Sequence, residues 1–179
     1  MEFTYRDPKI FMISGKAGTG KNTISNIIKE FYGDNAIEIS FSYYIKDYAK
    51  RISNWDGSEE TKPRELLQHL GIELVRNNID PKLFINRTLE DIKVFSYFYD
   101  VIIISGGRLV DELETIKKNY PNSISIGVIS NKENKLTESE KNHFTEVNLD
   151  NYSNYDYKID NSGSYEELKD KITSILKEV

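Results

Sequence analysis

The chain has 179 residues, enough for one domain with a sizeable core and too few for two comfortable ones. Charged residues make up 30% of it and the formal net charge is −5, which argues against a general nucleic-acid binder and against attraction to anionic membranes. The chain has no cysteine, so disulfides and thiolate metal sites are excluded. No apolar stretch approaches the roughly 20 residues of a membrane span, and we therefore expect a cytoplasmic protein.

Short apolar runs alternate with amphipathic segments along the whole chain. Strands are predicted at 9–14, 36–41, 100–105, 123–130 and 156–160, and helices at 21–33, 43–52, 63–78, 80–98, 109–120 and 164–179. Residues 131–150 are polar and irregular. This alternation predicts an α/β fold in three layers, with helices on both faces of a parallel sheet.

A phosphate-binding loop is predicted between the first strand and the first helix. Gly15, Gly20 and Lys21 fit the pattern G-x-x-x-x-G-K. The glycines permit backbone angles that turn N–H groups toward a phosphate, and the helix N-terminus adds partial positive charge. Lys21 is then placed to reach the β- and γ-phosphates. The predicted nucleotide-binding residues are Gly15, Lys16, Ala17, Gly18, Thr19, Gly20, Lys21, Asn22 and Thr23.

The residue after Lys21 is unusual. Asn22 stands where a serine or threonine hydroxyl normally meets magnesium. An amide oxygen can also bind Mg²⁺, which prefers oxygen ligands, so Asn22 is the predicted metal contact. Thr23 has a hydroxyl, but one helical step turns it about 100° away. The loop by itself thus predicts nucleotide binding and leaves catalysis open.

Five stretches carry a family resemblance: GKAGTGKNT, ISFSYYIKDYAK, KPRELLQHLGIELVRNNIDPKLFINRTLEDI, VIIISGGRLVDEL and YKIDNSGSYEELK. Together they resemble the deoxynucleoside monophosphate kinases of the P-loop kinase superfamily, whose relatives include adenylate-kinase-like and dephospho-coenzyme A kinase enzymes. The resemblance implies one P-loop NTPase domain of nucleotide kinase type over 1–179. It also implies ATP and Mg²⁺ as donor and cofactor, and a small phosphorylated acceptor, a nucleoside monophosphate. The acceptor would bind in a helical region at about 43–98, under a lid at about 131–150.

The Pro-Arg-x-Leu-Leu-Gln segment is where the resemblance places the acceptor. On an ideal helix Arg64, Gln68, Gly71 and Val75 share one stripe. An arginine at this place can hold a phosphate bidentately, and a glutamine can hydrogen-bond a base edge. Arg64 and Gln68 are therefore predicted acceptor contacts, although an ordinary amphipathic helix with a solvated face would show the same pattern.

Other cations are candidates for the transfer step. Arg108 follows a buried strand directly, so it belongs at the carboxyl edge of the sheet, where ligands gather in such folds. Phosphoryl transfer requires cations around the migrating oxygens, and Lys21 and Arg108 are the predicted catalytic residues. Arg76 is a further acceptor candidate. Lys46 matches a lysine of the family's second-strand motif, although a solvated lysine is the alternative.

The chain departs from the family pattern at three acidic or magnesium-facing positions. They are neutral here: Asn22, Tyr43 and Gly106. The lid lacks arginine and offers only Lys132, Lys135, Lys141 and His143. Asn161, in IDNSG, resembles a contact beside adenine, or it lies in a plain turn.

Three functions remain open on these residues. The first is a nucleotide kinase, and the second is a catalytically weakened relative that binds nucleotide and regulates. The third is a GTPase-like switch, because SNKEN at 130–134 resembles a guanine-reading motif but lacks its carboxylate. Neither the charge balance nor any basic aromatic stripe supports a nucleic-acid partner. The oligomeric state stays open.

Overall fold

The structure is a computed structural model that describes residues 3–132 and 136–179. Its five strands are β1 (Lys9–Ser14), β2 (Ala36–Ser40), β3 (Val101–Gly107), β4 (Ile124–Ile129) and β5 (Tyr157–Asp160). They form one sheet in the order β2-β3-β1-β4-β5, and every neighbouring pair is parallel. The predicted parallel sheet is confirmed. Its carboxyl edge brings the ends of β1, β2 and β3 together.

The helices connect the strands in chain order. They are α1 (Lys21–Tyr32), α2 (Tyr43–Ser53), α3 (Arg64–Gln68), α4 (Leu83–Phe95), α5 (Val110–Asn119), α6 (Glu138–Lys141), α7 (Phe144–Val147) and α8 (Tyr165–Glu178). The last helix begins with a capping box, because the Ser164 hydroxyl accepts from the backbone N–H of Glu167 and the Glu167 carboxylate accepts from the backbone N–H of Ser164. None of the helices within the described ranges is long and apolar enough to cross a bilayer.

Both faces of the sheet are covered by apolar layers. Successive residues of β1 point to opposite faces, so Phe11 and Ile13 join one buried cluster, whereas Ile10 and Met12 join the other. The first cluster also contains residues of α1 and α8, and the second contains residues of α4 and α5. Burial on both faces explains why β1 and β3 are continuous apolar runs.

The helix predicted over 63–78 is not uniform. After α3, residues His69–Ile79 are wound as a π-helix, and the amide of Asp80 donates to the carbonyl of Val75 at 2.9 Å, five residues back. Such windings are rare and are frequently found at functional sites. Gly71 lies in this stretch, where an added Cβ would meet Cδ1 of Ile45 at 3.2 Å.

The segment expected to be irregular, 131–150, contains the two short helices α6 and α7 in its described part. Thr137 caps the first, since its side chain accepts from the backbone N–H of Glu140. His143 caps the second, since its ring accepts from the backbone N–H of Thr145. This gives His143 a structural role. Lys135, and positions 133 and 134 of the guanine-like motif, lie outside the described residues.

Candidate active site

Glycines shape the loop between β1 and α1. Gly15, Gly18 and Gly20 have φ angles of 145°, 77° and 94°, which side-chain-bearing residues rarely adopt. Close contacts add to this requirement. A Cβ on Gly15 would collide with the carbonyl oxygen of Val128, and one on Gly20 would collide with the amide of Asn161. The backbone of the loop therefore has the conformation that the sequence pattern predicts.

Lys21 is buried within the loop it follows. Its Nζ donates to the carbonyl oxygens of Gly15 at 2.8 Å and Lys16 at 2.6 Å. Burial, together with the nearby Arg108 guanidinium, lowers the pKa of Lys21 to about 6. An anion bound here would reverse this effect, because an opposite charge favours the protonated ammonium.

A large cavity opens beside the loop at the carboxyl edge of the sheet. Its volume is about 500 Å³, and its walls come from the loop, the ends of β2 and β3, α2, α3 and the π-helical stretch. The structure gathers many of the predicted site residues in this cavity: Ala17, Gly18, Gly20, Lys21, Asn22, Lys46, Arg64, Gln68, Arg76 and Arg108. The other predicted site residues do not line it: Gly15, Lys16, Thr19, Thr23 and Asn161.

A second cavity of about 400 Å³ lies on the other side of the loop. Gly15, Lys16 and Thr19 line this cavity and are absent from the lining of the first. The ammonium group of Lys16 pairs with Asp150 at 2.7 Å. The nine predicted loop residues thus do not share one surface. Thr23 lines neither cavity, as expected from its position one helical step past Asn22.

Asn161 holds the phosphate loop through a side-chain hydrogen bond. It is 8% exposed, and its Nδ2 donates to the carbonyl oxygen of Thr19 at 2.9 Å. It lines neither cavity. Its side-chain donor is therefore engaged in holding the loop, which differs from the expected contact beside adenine.

Two of the cavity's cations are unpaired. Across the described ranges, Arg64 and Lys46 form no ion pair with any carboxylate, whereas Lys62 pairs with Glu59 at 2.8 Å. Burial lowers the pKa of Lys46, and Lys62 adds to the effect. Arg76 pairs with Asp111 and donates to the carbonyl oxygen of Pro81 at 3.3 Å. Arg64 and Lys46 thus give this wall excess positive charge.

The other arginines of the predicted acceptor region face away. Arg51 pairs with Asp47 at 3.0 Å on the outside of α2, and Arg87 pairs with Glu90 at 3.1 Å. Neither arginine lines the first cavity. Of the five arginines between positions 51 and 108, three line the cavity: Arg64, Arg76 and Arg108.

The cavity also has apolar lining. Several of these residues come from α2, α3, the π-helical stretch and α4, among them Ile45, Leu67, Ile72, Val75, Phe84 and Ile85. Gln68 lies among them, as the shared stripe with Arg64 predicts. Leu67, which the ideal helix places on a different stripe, lines the cavity as well. A flat apolar group with a polar edge fits such a wall.

Carboxylates line the cavity, although none stands at the positions where the family pattern has acids. Tyr43 is 60% exposed and lies outside the cavity, and Gly106 lies beside the Ser40 hydroxyl. The carboxylates that line the cavity are Glu59, Asp80, Glu112 and Glu146. Sequence reasoning missed all four, although Glu112 sits in the first turn of α5, where an acidic residue is favoured.

Glu112 and Glu146 are both engaged. Glu112 accepts from the backbone N–H groups of Arg108 at 2.7 Å and Leu109 at 3.0 Å. Burial raises its pKa to about 7. Glu146 is 7% exposed, accepts from the loop amide of Ala17 at 2.9 Å, and pairs with the Arg108 guanidinium.

Comparison with known proteins identifies the family and the fold. Residues 33–172 match the family model of deoxynucleotide monophosphate kinases. That match begins after the phosphate loop, so the loop and the family match are separate observations. No curated protein matches the chain.

Solved structures show the same fold. The APS kinase of Mycobacterium tuberculosis, solved with AMPPNP and APS, aligns with a TM-score of 0.57 at 10% identity over 95% of this chain and 98% of that one. The shikimate kinase of Acinetobacter baumannii, solved with shikimate, gives 0.56 at 13% over 96% and 93%. A gluconokinase of Sinorhizobium meliloti gives 0.55 at 13% over 97% and 94%. The chain belongs to the deoxynucleotide monophosphate kinase family and is an ATP-dependent phosphotransferase of the P-loop kinase fold.

Proposed function

We propose that the protein transfers the γ-phosphoryl group of ATP to the phosphate of a nucleoside monophosphate, with a deoxynucleoside monophosphate as the preferred class. The observation that carries this proposal is that Arg64 and Lys46 line the cavity beside the phosphate loop and, in the described part of the chain, have no carboxylate within ion-pair distance. Glu59 acts on both cations from farther away, so an anionic acceptor group would supply their close partner. Arginine is suited to a phosphate because its planar fork binds two oxygens at once.

The apolar wall gives the acceptor's base a place. Phe84 and Leu67 offer flat and branched apolar surfaces, and Gln68 offers an amide that can donate and accept on a base edge. The cavity's volume of about 500 Å³ is within the range usual for small-molecule sites.

A phosphate acceptor also suits the carboxylates of the cavity. A phosphate monoester has a second pKa of about 6, so at neutral pH it is already an anionic nucleophile and needs no general base. A hydroxyl acceptor does need one. Glu112 and Glu146 are both engaged with N–H donors, and Glu59 is paired with Lys62. The acids that are missing at positions 43 and 106 are therefore dispensable for this reaction.

The donor is ATP with Mg²⁺, held by the loop amides and by Lys21. The donor set near the loop fits magnesium, because Asn22, Ser40 and Ser42 present neutral oxygen atoms to the cavity. No group of three or more acidic or histidine side chains that could hold a metal occurs in the described part of the chain. Mg²⁺ suits such a site, since it usually keeps several waters and takes phosphate oxygens as ligands. When bound, it would neutralise charge on the transferred group.

The remaining cations act on the transferred group. Arg108 lies beside Lys21 at the end of β3, and Arg76 faces the same cavity from the π-helical stretch. Both can stabilise charge that develops on the migrating phosphoryl oxygens. The region 43–98 then serves as the acceptor-binding part of the domain and 131–150 serves as its lid.

A coupled ADP-release assay tests the proposal. The panel contains the deoxynucleoside and ribonucleoside monophosphates, together with shikimate and gluconate as hydroxyl acceptors, each with ATP and Mg²⁺. We expect turnover with at least one monophosphate, none with the hydroxyl acceptors, and loss of turnover in Lys21→Ala and Arg108→Ala. Turnover on a hydroxyl acceptor alone contradicts the proposal. Thermal stabilisation by ATP without turnover on any acceptor favours the regulatory relative instead.

A further inference from the structure

The carboxylate of Glu146 occupies an anion site in the phosphate loop. It accepts from the loop amide of Ala17 and from the guanidinium of Arg108, and its charge acts on Lys21. Loop amides, an arginine and the loop lysine are the groups that hold phosphate oxygens in P-loop kinases. A side-chain anion from the lid segment therefore sits among the donors that a nucleotide needs.

The contact is part of a wider attachment of the lid segment to the loop. Asn148 accepts from the backbone N–H of Val110 at 2.7 Å, and Asp150 pairs with Lys16 at 2.7 Å. Glu146, Asn148 and Asp150 lie on one short stretch that begins in α7. This stretch thus joins the phosphate loop to the N-terminus of α5.

Two anions cannot share these donors. The amide of Ala17 has a single N–H, and Glu146 already accepts it. A phosphate oxygen placed at the same amide would meet the carboxylate at close range, and like charges at such distances repel strongly in a buried site. Glu146 is 7% exposed, so solvent does not screen this repulsion.

We propose that Glu146 is an intramolecular competitor of the nucleotide, which closes the phosphate loop when the loop is empty and is displaced when triphosphate binds. This inference rests on the proposed function, because it assumes that the loop binds a polyphosphate. It goes further because it assigns a second state to the site, in which Glu146 of the lid segment fills the loop while no nucleotide is bound. Release of Glu146 also frees Arg108 for the transferred group.

The test compares affinities for inorganic tripolyphosphate and for ATP by isothermal titration calorimetry. Glu146→Gln keeps the shape of the side chain and removes its charge. We expect it to bind both ligands about tenfold more tightly than the wild type, because a competitor that lowers the competent population raises the apparent Kd. Glu138→Gln is the matched control, since Glu138 lies on the same segment, is highly exposed and touches no loop residue. It should leave both affinities unchanged.

Hydrogen exchange on the wild type gives a second measurement that depends on no variant. Tripolyphosphate should accelerate exchange in 144–150 while it protects the loop at 15–22. Equal affinities of the wild type and Glu146→Gln, or slower exchange in 144–150 on binding, overturn the competitor model while the proposed function stands. If neither the wild type nor the variant binds any triphosphate, the proposed function fails, and the competitor model fails with it.

Discussion

Replacing Lys21 with methionine should stabilise the empty protein while it removes nucleotide binding. The ammonium group of Lys21 is buried, and burial lowers its pKa from 10.5 to about 6. At pH 7 the unfolded chain keeps a proton on Lys21 that the folded, empty protein has released. The free energy of unfolding therefore includes a cost that an uncharged side chain of similar length does not incur.

The size of the effect follows from this pKa. Each pH unit between 7 and 10.5 costs about 1.4 kcal/mol, so burial of Lys21 costs about 5 kcal/mol at pH 7. Its hydrogen bonds to the carbonyls of Gly15 and Lys16 return about 1 kcal/mol each. We therefore expect Lys21→Met to raise the free energy of unfolding by about 3 kcal/mol at pH 7.

The pH dependence supplies the sharper test. Between pH 6 and 10.5 the unfolded state binds the extra proton, so the stability of the wild type rises with pH in this window. The advantage of methionine should shrink to about zero near pH 9. Urea unfolding at pH 7 and about pH 9 measures both values. Lys177→Met, at an exposed lysine of α8, is the control and should change stability by less than about 0.5 kcal/mol at either pH. A Lys21→Met protein that is less stable at pH 7, or whose advantage does not change with pH, refutes the reasoning.

Three further outcomes follow from the same site. ATP binding near pH 7.5 should take up about one proton, because bound phosphate restores the ordinary pKa of Lys21. Calorimetry in buffers of different ionisation enthalpy measures this uptake. A binding enthalpy that does not depend on the buffer contradicts the prediction. Arg64→Ala should raise the KM for the acceptor at least about tenfold and leave the KM for ATP within about twofold. Arg51→Ala, at an arginine outside the cavity, should alter neither constant, and a matching loss there would show that the effect is not local. Gly20→Ala should destabilise the fold by at least about 1 kcal/mol more than Gly33→Ala. Both glycines have positive φ, but only at Gly20 does an added Cβ collide with a neighbour, so equal losses in urea unfolding would remove packing as the cause.

Much of the site could be predicted from local sequence. The loop glycines and Lys21 stand between an apolar strand and an amphipathic helix, and this order of elements sets the loop at the carboxyl edge of the sheet. Arg108 follows a buried strand, so its arrival at the same edge is a consequence of a parallel sheet. Arg64 and Gln68 share a helix stripe because they are four residues apart.

The regular elements were predictable for a related reason. Burial of β1 and β3 on both faces leaves continuous apolar runs, and burial of one helix face leaves a helical period. The π-helical winding of His69–Ile79 leaves no such trace, since its apolar residues also satisfy an α-helical pattern. Sequence order also does not tell which side of the loop a residue faces. Lys16 and Thr19 line only the second cavity, whereas Gly20 and Lys21 line only the first.

By itself, the amino-acid sequence determined that this protein has a parallel α/β sheet with a phosphate loop at its edge and a cationic, helical wall nearby. Tertiary structure alone decided which side chains fill the empty loop. Glu146 meets Ala17 across 129 positions of the chain and meets Arg108 across 38. Contacts at such separations depend on how the lid segment returns to the sheet, and hydrophobic periodicity and turn signals carry information only about neighbours in sequence.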